Sequence, residues 1–161
     1  MVNPDIRLSD DPFSALIDAA DDARIALVTP RILAPDGRCE DFERALITPW
    51  GLIGRRFART RVPAADWVAG MFMCIRSHAY QAVGGFDERF FMYCEDADLC
   101  ARLRLQGWRF TVCDRASVVH DAQRASHRSP RHLRWHLGSL LKLWLSTAFW
   151  RYRNLLARER K

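Results

Sequence analysis

The sequence predicts a mixed α/β domain, and three observations carry that expectation. Phe13, Leu16, Ile17 and Ala20 recur at helical spacing and lead into an unbroken apolar run over residues 25–29. A second helical stretch, 95–106, closes at Gly107 and is followed at once by a strand. A helix feeding a buried strand is the rhythm of α/β proteins. The third observation is composition: 161 residues, 49% apolar and 27% charged, suit one hydrophobic core and exclude disorder or a fibrous repeat.

Taken in order, Asp10, Asp11 and Pro12 open the first helix with an acidic cap and a first-turn proline. Pro30 ends the strand 25–29, and Pro35-Asp36-Gly37 reads as a tight turn. Residues 40–65, rich in Arg, Pro and Gly, read as loop with one edge strand around 45–48 and are a candidate mobile lid. Residues 67–75 read as a strand whose Gly70 lets backbone or ligand come close. Ser77 is expected to cap a two-turn helix that stops at Gly84-Gly85, and strands are expected at 108–113 and 117–120. Ser129-Pro130 then opens the longest element, a helix over 131–158 with Leu137, Leu140, Leu141, Trp144, Leu145, Tyr152 and Leu156 on one face.

The formal charge of +6 is concentrated at the C-terminal end, where Glu159 is the only acid from Arg124 to Lys161. Such a stretch attracts phosphate, whether of nucleic acid, anionic lipid or a pyrophosphate-linked substrate. As one helix, 131–158 would extend roughly 40 Å, more than a small domain covers. Trp135, Leu141, Trp144 and Leu145 among basic residues suit a helix lying in a lipid headgroup layer, and the alternative is that the stripe packs on the body of the domain or on a second subunit. His132 and His136, four apart without a third ligand, read as helix surface. The chain is expected to divide at 128/129 into a domain, 1–128, and a basic helical tail, 129–161.

Cys39, Cys74, Cys94, Cys100 and Cys113 are odd in number and none pairs as C-x-x-C, which suits reduced thiols in a cytoplasm. Residues 1–11 lack the pattern of a signal peptide, and Lys142 interrupts the most apolar stretch short of a membrane span. The expected location is cytoplasmic, peripheral to the inner face of the cell membrane.

The chemistry is concentrated in residues 84–99, where Glu95, Asp96 and Asp98 crowd a helix start. Acids in a first turn complement the helix dipole, and Asp98 is placed to pair with Arg102 four residues on. Asp96 shares its face with Leu99, Cys100 and Leu103, the stripe that turns toward the core. A carboxylate at the end of a buried stripe points into a cleft, as a general base does. On the residues alone, the structural and catalytic readings of Asp96 both stand.

The string Gly84-Gly85-Phe86-Asp87-Glu88, Phe90-Phe91-Met92-Tyr93, Glu95-Asp96, Asp98-Leu99, then Arg102-Leu103 and Gly107-Trp108, resembles the acceptor-side signature of family 2 glycosyltransferases of the GT-A fold, rhamnosyltransferase-like members above all. Asn3-Pro4-Asp5, the segment 30–37, Trp67-Val68-Ala69-Gly70 and Val118-Val119-His120 follow in the expected order, so the resemblance runs from Asn3 to about His136. It implies a partial GT-A mixed sheet and an inverting transfer of a sugar from a nucleotide-sugar donor to a saccharide or lipid-linked acceptor in cell-surface polysaccharide synthesis. The resemblance casts Asp96 as the general base with Glu95 beside it, and Asp5 and His120 as ligands of a divalent Mg²⁺ or Mn²⁺. It assigns acceptor contact to Trp67, Gly70 and Asp98, and it points to a dTDP-sugar, rhamnose, as donor.

The family's nucleotide-binding half precedes the Asn-Pro-Asp motif, and here only Met1 and Val2 do, with Asn3 in place of the fuller motif's first aspartate. The chain is therefore expected to be incomplete for donor binding, with an exposed sheet edge and apolar face. A catalytically inactive remnant with a binding or scaffolding role is the alternative. A nucleic-acid-binding module, prompted by the basic charge, lacks any helix-turn-helix, zinc-finger or single-strand signature, so no nucleic-acid partner is expected.

Overall fold

The computed structural model describes residues 1–54, 65–121 and 130–161. In chain order the elements are β1 (Ile6–Arg7), α1 (Phe13–Ala19), β2 (Ile25–Leu33), β3 (Glu43–Arg44), α2 (Pro49–Gly54), β4 (Trp67–Val68), β5 (Cys74–Ile75), α3 (Ser77–Ala82), α4 (Glu95–Leu105), β6 (Arg109–His120), α5 (Pro130–Leu145) and α6 (Thr147–Glu159). Four strands form a mixed sheet in the order β1-β6-β2-β5, with β2 and β6 parallel and the two edges antiparallel. A second pair, β3 and β4, lies apart from it.

Strand β2 is apolar almost throughout because both its faces are covered, as the parallel pairing with β6 requires. Its core members Leu27, Val28 and Ile32 pack with Leu16 of α1, Leu99 and Leu103 of α4, and Phe72 and Met73. The expected break at Pro30 does not occur. Pro30 sits opposite Cys113 and Arg31 opposite Ser117, so β6 takes up the irregularity as a bulge of three extra residues while both strands continue. The two strands expected at 108–113 and 117–120 are thus one.

The expected single strand at 67–75 is two short strands in different sheets, β4 and β5, because the chain turns at Gly70 and Met71. The edge strand expected at 45–48 lies at Glu43–Arg44, and α2 follows it. Ser77 is the first helical residue of α3, and Arg76 holds the cap position. Residues 55–64 of the expected lid, and Ser129 of the expected cap, lie outside the described residues.

The largest correction falls on the C-terminal helix. It is broken at Ser146, whose ψ of 139° is extended and whose Oγ accepts a hydrogen bond from the Phe149 N–H at 3.1 Å. A serine hydroxyl that satisfies an orphan helix-start donor makes a new helix start inside an otherwise continuous apolar stripe. Beyond the break, α6 packs on α4: Tyr152 and Leu156 close over Ala101, and Phe149 joins the main core with Leu140 and Leu143 of α5. Side chains of both helices thus contribute to the packed core clusters.

All five cysteines are free thiols. Val2, Leu8, Phe13 and Ile17 are exposed.

Candidate functional site

Helix α4 starts on strained backbone. Tyr93 and Cys94 both have left-handed φ, 70° and 67°, which costs non-glycine residues about 1–3 kcal/mol each. The surrounding contacts hold them there. From α5, Ser139 Oγ donates to the Met92 carbonyl at 2.7 Å and Lys142 Nζ to the Arg89 carbonyl at 2.6 Å. The Asp98 N–H closes the first turn onto the Cys94 carbonyl at 3.0 Å. The sharp reversal delivers Glu95, Asp96 and Asp98 in three different directions.

Asp96 faces the turn after β4. Its Oδ2 accepts from the Gly70 N–H at 2.9 Å and its Oδ1 from the Ala97 N–H at 2.8 Å. Part of the residue still meets solvent, yet enough protein surrounds the carboxylate that burial raises its pKa, against the pull of those two N–H groups and the charge of Arg44. A raised pKa makes a carboxylate a stronger base when ionised. Gly70 leaves the approach open: a Cβ there would rest 3.4 Å from Asp96 Cβ and 3.5 Å from Oδ2. Its contribution is a main-chain donor to Asp96.

Glu95 is half-buried, with Oε2 unpartnered, and its pKa is raised by burial and then by the charge of Asp96. Asp98 is the structural member of the trio. It is 2% exposed and bound to Arg102 at 2.7 Å, and Arg102 also donates to the Gly85 carbonyl at 2.7 Å. Asp98, expected at the acceptor, is enclosed by the fold and paired with Arg102. Trp67, also expected at the acceptor, is enclosed likewise. It is 4% exposed, its indole N–H donates to the Ala45 carbonyl at 3.0 Å, and Arg44 covers its ring at 5.3 Å.

An aromatic group assembled from two distant stretches of chain stands beside the strained turn. The Tyr93 hydroxyl lies 2.9 Å from His132 Nδ1, its ring is 4.9 Å from that of His136, and Trp135 meets Phe91 at a tilt and His132 edge-on. His132 is partly covered there, while His136 remains exposed on the helix with its ring against Tyr93. Burial and then the charge of Arg44 lower the pKa of His136. Only the fold reveals this group, because Tyr93 and α5 are far apart in the chain.

The second centre lies where β1 meets β6. Ile6 pairs with His120 and the Asp121 N–H bonds the Asp5 carbonyl at 2.9 Å, which sets Asp5 Oδ2 3.2 Å from His120 Nε2. Glu40 Oε2 lies 3.0 Å from Nδ1 of the same ring. Asp5 Oδ1 is buried without a hydrogen-bond partner. The two carboxylates sit on different ring nitrogens and so do not converge on one point, and among the described residues no cluster of three or more His, Cys, Asp or Glu is placed to hold a metal. Asp5 and His120 nevertheless fit as a pair of ligands: an unsatisfied carboxylate oxygen beside an imidazole nitrogen suits an ion that takes its other oxygens from water and phosphate. The two centres are linked through the chain, since the Asn3 N–H bonds the Met71 carbonyl at 3.0 Å, next to Gly70.

Elsewhere, a cavity of about 380 Å³ lies between α6, α4 and β6, lined by Asp66, Arg104, Tyr152 and Glu159 among others. It includes none of Glu95, Asp96, Asp5 and His120.

The mixed sheet flanked by helices, with carboxylates at the start of α4, is that of a partial GT-A domain, the class of nucleotide-diphospho-sugar transferases. The profile of Glycosyl transferase family group 2 matches residues 4–158, and the chain belongs to that family. It is 32% identical over 157 residues to the N-acetylglucosaminyl-diphospho-decaprenol L-rhamnosyltransferase of Mycobacterium tuberculosis, covering 84% of this chain and 51% of that protein. It is 43% identical over 79 residues to rhamnosyltransferase WbbL of Escherichia coli, 48% of this chain and 30% of the other. A low-salt glycan biosynthesis hexosyltransferase, Agl10 of Haloferax volcanii, is 23% identical over 126 residues, 75% of this chain and 41% of the other. The chain thus spans about half the length, or less, of the curated relatives it matches.

Proposed function

We propose that this chain forms the acceptor-side, catalytic part of an inverting glycosyltransferase that moves a sugar, rhamnose from dTDP-rhamnose, to a lipid-linked saccharide in cell-surface polysaccharide synthesis. The carrying observation is the Asp96 carboxylate, held by the Gly70 and Ala97 N–H groups at the edge of solvent. In this reading Asp96 takes the proton of the acceptor hydroxyl as its oxygen attacks the anomeric carbon. The bond from that carbon to the nucleoside diphosphate breaks on the opposite face, which inverts the centre. Glu95 stands beside it with Oε2 unpartnered, its own carboxyl held above the usual range by burial and then by the charge of Asp96. Asp5 and His120 would hold a divalent ion, Mg²⁺ or Mn²⁺, which supplies positive charge for the departing diphosphate.

A lipid-linked acceptor agrees with the outer face of α5. Leu133, Leu137, Leu141 and Leu145 form an exposed ridge, with Arg131, Arg134 and Lys142 on the same helix and no acid in it. The reading is of a peripheral contact with an anionic headgroup layer at the cytoplasmic face. Trp144, expected in that contact, turns inward and donates to the Ile47 carbonyl at 2.8 Å, and Trp135 is half-covered. No helix of the described residues is long and apolar enough to cross a membrane.

An acceptor analogue, N-acetylglucosaminyl diphosphate on a short isoprenoid chain, is expected to shift the Gly70 and Ala97 amide resonances of the labelled chain. Unmoved amides at saturating analogue would count against acceptor binding at Asp96. Where dTDP-rhamnose and Mn²⁺ support transfer, Asp96→Asn is expected to slow it by about 10²–10⁴-fold. A rate within a few-fold of the parent would remove Asp96 as the base.

A further inference from the structure

The His120 ring is held between two groups that can only accept hydrogen bonds when ionised. Glu40 Oε2 lies 3.0 Å from Nδ1 and Asp5 Oδ2 lies 3.2 Å from Nε2. A neutral imidazole has one N–H, so it satisfies one of the two carboxylates and turns a lone pair toward the other. The shorter contact, to Glu40, is also the better covered: Glu40 is 25% exposed at its side chain and Asp5 37%.

The backbone explains why Glu40 is there. Residues 34–38 turn back on themselves, with the Ala34 N–H bonding the Arg38 carbonyl at 2.8 Å and the Gly37 N–H the Ala34 carbonyl at 2.9 Å. Gly37, at φ 79°, supplies the left-handed residue this turn requires. The returning chain bridges Leu33 to Cys39, and the Glu40 N–H bonds the Ile32 carbonyl at 2.8 Å. Leu33 pairs with Val119 on β6, so Glu40 comes back beside the strand end that carries His120. The turn places one carboxylate on His120 from the side opposite Asp5.

We propose that Glu40 is a positioning residue: it accepts the Nδ1–H of His120 and so fixes the tautomer whose Nε2 lone pair is presented, beside Asp5, to a divalent cation. This rests on the reading of Asp5 and His120 as the metal pair. In that tautomer the Nε2 lone pair and the Asp5 Oδ2, 3.2 Å apart, face each other without a donor between them, a repulsive arrangement that a cation relieves. The buried, unpartnered Oδ1 of Asp5 points to the same need. A carboxylate behind a metal-binding histidine orients the ring and raises its basicity, and its loss costs about 10–100-fold in metal affinity.

The test uses the full chain with ¹⁵N-labelled histidine and Mn²⁺ alone as probe. The neutral His120 ring is expected to be protonated at Nδ1, and Mn²⁺ is expected to broaden its resonances. Glu40→Ala should mix the tautomers and weaken Mn²⁺ binding by about 10–100-fold. Glu40→Gln, which keeps an acceptor for Nδ1–H, should hold the tautomer and recover most of the affinity. If Glu40→Ala folds with the parent's circular dichroism and leaves tautomer and affinity unchanged, the proposal is overturned alone. If Mn²⁺ leaves the parent's His120 unbroadened, the reading of the metal pair fails and takes this proposal with it.

Discussion

Helices α5 and α6 are written in nearly the same language, basic residues around an apolar stripe, yet the fold uses them in opposite ways. The α6 stripe is spent inside: Phe149 and Tyr152 are fully buried, and the Tyr152 hydroxyl donates to the Asp66 carbonyl. On α5 the stripe is wider than the body can cover. Leu140 and Leu143 go in, Ser139 and Lys142 hold the loop before Glu95, and Leu141 and Leu145 remain 57% and 84% exposed. Composition does not separate a helix that completes a core from one that also offers a surface. The covering neighbour does, and for α6 that neighbour is α4, the helix that carries Asp96.

The sharpest way to break this comparison is Phe149→Ala, expected to cost about 3–5 kcal/mol in urea unfolding because it empties a packed core position. A loss under about 1 kcal/mol would mean that α6 is not the core element described here. Ser146→Ala comes next, expected to cost about 1 kcal/mol by removing the hydroxyl that accepts from Phe149 N–H. Unchanged or raised stability would show that the two segments tolerate a single continuous helix. The smallest stability effect is expected for Leu141→Ser with Leu145→Ser, within about 0.5 kcal/mol of the parent since neither leucine is covered. The same double variant should abolish sedimentation with anionic liposomes, and retained sedimentation would remove the ridge as the lipid contact.

At the site, legibility followed the distance in sequence between partners. Asp98 and Arg102 are one helical turn apart, so their pairing was readable from spacing. The face shared by Asp96, Leu99, Cys100 and Leu103 also pointed the carboxylate away from bulk solvent. What Asp96 bonds was not readable, because the Gly70 N–H is 26 residues away and is brought in only by the turn between β4 and β5. Trp67 shows the converse: the resemblance assigned it acceptor contact, and its ring lies packed under Arg44 with the indole N–H on the Ala45 carbonyl, partners that the motif does not name. Glu40 was hidden for a similar reason, since it meets His120 80 residues on and only after the 34–38 turn reverses the chain.

The sequence by itself determined the class of fold, the family and the carboxylates at the start of α4, because local periodicity and a contiguous motif need no partner to be recognised. Tertiary structure alone decided that β2 continues past Pro30, that the last helix breaks at Ser146, and that His120 is shared by Asp5 and Glu40. Each of those outcomes depends on which surface or which lone pair a residue meets, a pairwise free energy that no single stretch of chain contains.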